Sequence, residues 1–170
     1  MELSLEARAA ALVNPESGIA NDYLNHFNEI LLLIENLPVL LPEMIEDIMR
    51  WKPVGYIEYF TKSPLPGSAE ALKIYDSLDK SFRDDFESMI ELLNTIVVSS
   101  IEVVFKYRLP DGSIDPEAIG EICEQYSAVL RAVLDRLADL VNHGSAPPLE
   151  RPQNMADRLL AVYSQHKNVG

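Results

Sequence analysis

A chain of 170 residues, 48% hydrophobic and 24% charged, carries enough apolar surface for one core and lies far from the disordered class. Its net charge of −13 repels phosphate backbones and anionic lipid, which argues against nucleic-acid binding and against attachment to anionic membranes. A single cysteine, Cys123, excludes an internal disulfide and a thiolate zinc cluster.

The first residues, MELSLEARAAALVN, lack the basic start and apolar run of a secretory signal. The most apolar stretch, Met89 to Phe105, is interrupted by Glu91, Asn94 and Glu102, so no membrane span is expected. The expectation is a soluble cytoplasmic protein. Charge is uneven along it. Residues 1–36 carry six acids and one base, residues 110–143 seven and two, and residues 144–170 two and three. Of these three stretches the tail alone is not acidic.

Ser4 can cap a short first helix that runs to about Val13. Asn14-Pro15-Glu16 then reads as cap, first helical position and dipole-matched acid, which predicts a second helix over 17–36. Pro38 and Pro42 end it, and Pro42-Glu43 opens a short helix ending near Trp51. Between Pro53 and Gly67 the pattern supports a turn or two of helix around Tyr56 to Phe60. Ser68 is expected to cap a segment through Ser77, with Asp79 opening a long helix that can be continuous with it.

In that helix Phe82, Phe86, Met89, Leu93 and Ile96 alternate at spacings of four and three, a core-facing stripe. Residues 101–109 alternate as a strand would. A lone strand is not viable, so the helical reading stands. Asp115-Pro116-Glu117 repeats the cap pattern. From Pro116 to about Asn142 a stripe of Ile119, Cys123, Tyr126, Leu130, Val133, Leu137 and Leu140 steps without error, and Gly144 is the natural stop. Residues 145–153 read as a proline-rich linker, and 154–170 as a short docking helix with Met155, Leu159, Val162 and Tyr163 on one side.

Three long helices, 17–36, 79–107 and 116–142, predict an all-α helical bundle of about six or seven helices, with residues 1–144 as the domain. The final helix is too short to be stable alone and must dock, in this chain or in a second copy, so a homodimer is expected.

The second helix raises the functional question. Ile19, Tyr23, Phe27, Ile30 and Ile34 share one face; Asp22, His26 and Glu29 share another, with Asn21, Asn25 and Asn28 beside them. Each Asn costs about 0.5–0.7 kcal/mol against Ala in a helix interior. One reading is a divalent metal (zinc, iron or manganese) on Asp22, His26 and Glu29. A second is a small polar ligand held by Asn21, Asp22, Asn25, His26 and Glu29. A third is a structural hydrogen-bond network centred on His26. Trp51, Tyr56, Tyr59 and Phe60 cluster near a proline break, where aromatics either anchor a partner or plug the corner of a bundle. Cys123 lies on a core stripe, where a thiol is ordinarily inert packing. With no glycine-rich phosphate loop and no nucleophile elbow, the favoured function is protein–protein contact in a regulatory or adaptor role, with self-association.

Overall fold

The computed structural model describes Ala7, residues 12–39 and residues 43–144. The expected first helix, the 145–153 linker and the 154–170 docking helix, with Met155, Leu159, Val162 and Tyr163, therefore fall outside the described residues.

The fold is an all-α bundle. Its described helices are α1 (Asn25–Asn36), α2 (Glu43–Arg50), α3 (Tyr56–Lys62), α4 (Ser68–Ser77), α5 (Lys80–Lys106) and α6 (Pro116–His143), with a 3-10 turn over Asn21–Leu24. Among the described residues there are no strands, only isolated bridges between Val13 and Ala20 and between Arg108 and Ile114.

Helix α6 follows its pattern closely. Asp115 accepts a hydrogen bond from the Glu117 amide at 3.0 Å, Pro116 fills the first turn, and Gly144 closes the helix at φ +71°. All seven predicted stripe residues are buried, as are Ile122, Leu134 and Val141. Helix α5 packs along α6, with Phe86, Ile90, Leu93, Ile96, Val97, Val103 and Val104 inside. Phe82 and Met89 are only partly buried at its rim. The helical reading of 101–109 holds through Lys106, after which the chain turns at Asp111-Gly112. Contrary to the sequence expectation, α5 is long and apolar enough to cross a bilayer despite its acids. Its apolar face is spent on the core of this bundle.

The cap pattern at Asn14 misled in one respect. The Asn14 side chain accepts from the Glu16 amide at 3.0 Å, and the Gly18 amide donates to the Asn14 carbonyl at 2.7 Å. These bonds make a turn, not a helix start. Gly18 sits at φ +76°, where a Cβ would meet Leu78 Cδ2 at 2.8 Å. The positive φ interrupts the helix, so the predicted 17–36 element begins as the 3-10 turn at Asn21 and becomes α-helical at Asn25. Ile19 and Tyr23 still reach the interior beside Phe27, Ile30 and Ile34.

Two further boundaries differ. Ser68 is the first residue of α4 rather than its cap; Gly67 holds that position, and Ser68 Oγ donates to the Leu65 carbonyl at 2.8 Å. Helices α4 and α5 are separate, because Leu78 and Asp79 are extended with ψ 155° and 134°.

Helix α1 packs on both α6 and α2. Arg131 pairs with Glu35, and Asn14 with Asn142, so α1 and α6 run antiparallel. Helices α3 and α4 pack together, and α3 also meets the 3-10 turn. That contact positions the polar half of the second element.

Candidate functional site

Segment 51–60 lays its aromatic rings over the turn at Asn21–Leu24 and the start of α1. Tyr23 is fully buried, with Phe27, Tyr56, Tyr59 and Phe86 around it at centroid distances of 5.8, 5.5, 5.4 and 6.3 Å. Three of these contacts are edge-on, the arrangement that the ring quadrupoles favour. Trp51 stacks on the His26 imidazole at 4.7 Å with an interplanar angle of 18°.

Each tyrosine and tryptophan tip in this cluster has a specific partner. Tyr23 Oη donates to the Val54 carbonyl at 2.6 Å. The Ala20 amide donates to Tyr56 Oη at 3.0 Å. Trp51 Nε1 donates to the His26 carbonyl at 3.1 Å, and Tyr59 Oη to Asp22 Oδ2 at 2.7 Å. Asn25 Nδ2 adds a bond to Asp22 Oδ1 at 3.2 Å. Two of these tips serve the turn's own backbone, Tyr56 Oη by accepting from the Ala20 amide and Tyr59 Oη by reaching the Asp22 carbonyl at 3.3 Å. The polar half of the element is therefore one side of a clamp whose other side is residues 51–59.

This geometry separates the residues grouped in the sequence. Among the described residues no three His, Cys, Asp or Glu side chains are grouped to hold a metal ion. Asp22, His26 and Glu29 thus do not converge as expected of a metal triad. The 3-10 turn shifts Asp22 off the α-helical register, Tyr59 engages its carboxylate, and the His26 ring lies flat on Trp51. Asn21, Asn25, Asn28 and Glu29 are exposed, while Asp22 and His26 are half-buried. Glu87, a candidate supporting carboxylate, accepts from Tyr75 Oη at 2.6 Å. The aromatic contact residues also divide. Tyr56 and Phe60 are core, so they do not form a contact surface; Trp51 and Tyr59 stay half-buried at the rim.

Electrostatics follow from this burial. Burial raises the Tyr59 hydroxyl pKa to about 12, helped by its bond to Asp22 and by the negative charges of Asp22 and Glu29. Burial likewise pushes Tyr56 up to about 12, and Tyr23 and Tyr75 upward. All four stay neutral hydroxyls near neutral pH. The Cys123 thiol is pushed up to about 11 by burial and is inert there.

His26 differs from its neighbours. Its Nε2 is buried with no hydrogen-bond partner. A neutral ring can leave that nitrogen bare, whereas a protonated ring carries a donor there. A buried donor without an acceptor costs about 1–3 kcal/mol. Stacking a cation on Trp51 returns only about 0.5–1 kcal/mol at a partly exposed site. Desolvation therefore wins, and the His26 pKa is lowered.

Outside the clamp lies a feature that sequence reasoning missed. Glu29, Leu32 and Leu33 of α1, Asp47 and Arg50 of α2, and Trp51 line an open groove of about 530 Å³. Leu32 is 55% exposed beside it, and Met49 on α2 is 52% exposed. The α1–α2 connection adds Val39 at 79%. Arg50 pairs with Glu46 at 3.5 Å, while Glu29 and Asp47 enter no ion pair among the described residues. Leu32 lies off the buried face of α1, and that out-of-register apolar residue was the available signal.

No family model matches the chain, and neither does any curated protein or any solved structure. The class is set by the fold itself, an all-α helical bundle with an aromatic clamp and an open apolar groove.

Proposed function

We propose that this chain acts by protein–protein contact, in a regulatory or adaptor role, through the α1–α2 groove, and that a second copy of the chain is one partner. The observation that carries the reading is the groove itself, where Leu32 is exposed and Leu33 and the single tryptophan stay half-buried in its wall. Exposed apolar area between two helices is suited to a helix laid lengthwise, with apolar anchors seated in the groove and charges at its lip. The groups suited to chemistry beside this groove are committed elsewhere, Asp22 to Tyr59 and the His26 ring to Trp51.

Trp51 reports directly on this surface. Its emission is expected to shift to shorter wavelength as protein concentration rises and the groove is covered. In Leu32→Glu, which alters an exposed position, that shift should vanish. A concentration-independent spectrum in the unaltered chain contradicts self-association.

A second reading, a small polar ligand or divalent metal at the polar face, has one observation in its favour, the partnerless Nε2 of His26. Metal analysis of the purified chain that returned a stoichiometric ion would favour it.

A further inference from the structure

Two short rows of side chains wall the α1–α2 groove. Glu29, Leu32 and Leu33 stand at i, i+3 and i+4 on α1, and Asp47, Arg50 and Trp51 repeat that spacing on α2 and the residue after it. Each row runs along its helix for about one turn, or roughly 6 Å. Leu32 is exposed, and Leu33 and Trp51 are half-buried. The carboxylates of Glu29 and Asp47 are exposed beside them. Two such rows are the lining that a turn of a third helix meets when it lies in a groove between two others.

The charge at this groove is one-sided. Residues 25–52 hold five acids, Glu29, Glu35, Glu43, Glu46 and Asp47, against two bases, Arg50 and Lys52. Arg50 is already paired with Glu46 at 3.5 Å, and Lys52 lies outside the lining. Glu29 and Asp47 enter no ion pair among the described residues. An apolar or acidic segment laid over Leu32 and Trp51 would take these two carboxylates partly out of water with nothing in return. A lysine or arginine on either side of an apolar anchor offsets that cost by pairing with each of them. At longer range, the net charge of −13 draws in cationic segments and repels anionic ones.

We propose that the α1–α2 groove binds an amphipathic helix of a different protein, one whose apolar stripe is bordered by lysine or arginine. This rests on the contact reading above and names, beside a second copy, the groove's other partner. A large apolar side chain of that helix seats against Leu32, Leu33 and Trp51, and its flanking cations reach Glu29 and Asp47. A second copy brings another −13 to the encounter, so the cationic helix is the stronger competitor for the groove. The two occupants exclude each other, which makes self-association responsive to the partner.

The test uses full-length protein and three synthetic peptides of about 15 residues. The first carries leucine at i, i+3, i+4 and i+7 with lysine around the stripe, the second has glutamate in place of lysine, and the third is the first with its order scrambled. Binding is read from the anisotropy of labelled peptide and from Trp51 emission. Two variants lose the same charge: Glu29→Gln with Asp47→Asn in the groove, and Glu124→Gln with Asp135→Asn on α6, outside it. All four positions are exposed, and circular dichroism verifies that each variant remains folded. The expected result is a shift of Trp51 emission to shorter wavelength with the ordered lysine peptide alone. Its affinity should fall about three- to tenfold in the groove variant and no more than about twofold in the α6 variant. Lysine and glutamate peptides that bind equally would overturn the assigned charge while leaving the contact reading standing. Equal losses in the two variants, or a scrambled peptide as good as the ordered one, would show attraction to net charge alone and overturn the helix as occupant. No Trp51 response to any peptide rejects the partner; if light scattering also finds the chain monomeric at every concentration, the contact reading falls with it.

Discussion

At Tyr59 one hydroxyl joins two elements that neighbour each other only in space. It ties α3 to the Asp22 carboxylate at 2.7 Å. Tyr59→Phe keeps the ring packing and removes that bond, with an expected loss of about 1–2 kcal/mol read by urea unfolding. An unchanged midpoint would show that solvent replaces the bond fully. His26 makes a second prediction at this scale. Its folded-state pKa lies below the unfolded value of about 6.5, so the folded chain binds fewer protons. The contribution is fully present above the unfolded value and is lost as pH falls through the folded one. His26→Gln should flatten that part of the stability–pH curve, which denaturation midpoints across mildly acidic pH would show. The residue grouping legible in the sequence held for Ile19, Tyr23, Phe27, Ile30 and Ile34, because burial tolerates a change of helix type. For Asp22, His26 and Glu29 the register is not a regular one, because Asp22 stands in the 3-10 turn ahead of α1, and the described residues hold no group of three metal-ligating side chains.

Between elements, local chemistry decided how much was readable. Helix α6 agrees with its pattern because cap, apolar period and terminal glycine all point to one answer. Asp115→Ala should cost about 1 kcal/mol by leaving the Glu117 amide without its cap, measured as a lowered thermal midpoint. No change would mean that water satisfies that amide equally well. The same cap pattern at Asn14 built a turn, because Gly18 at φ +76° follows within four residues and packs against Leu78. Nothing in the local sequence shows that approach, which depends on the end of α4 lying alongside. The clamp was hidden for the same reason. Residues 51–60 and 20–26 meet only through tertiary packing, as the long-range bonds of Trp51, Tyr56 and Tyr59 show.

Over the whole molecule, apolar residues and charge divide the surface unequally. Helices α1, α5 and α6 enclose the core, while α1 and α2 leave an open groove lined by Leu32, Leu33 and the half-buried Trp51. Fully burying a leucine-sized side chain is worth about 1.5–3 kcal/mol, so an open groove of this kind favours an occupant wherever one is available. The net charge of −13 opposes unguided association of two such bodies. Sequence periodicity made the bundle legible. It left the groove unseen, because out-of-register Leu32 marks an exposed apolar residue but not the α2 neighbours that make a groove beside it.

Sedimentation equilibrium of the full-length chain over a wide concentration range tests the contact claim most directly. The account predicts a weight-average mass that climbs from 19.1 kDa toward twice that value, and that stays at 19.1 kDa when Leu32 and Met49 are both changed to Glu. A mass fixed at the monomer value for the unaltered chain, or a dimer indifferent to both charges, would contradict it.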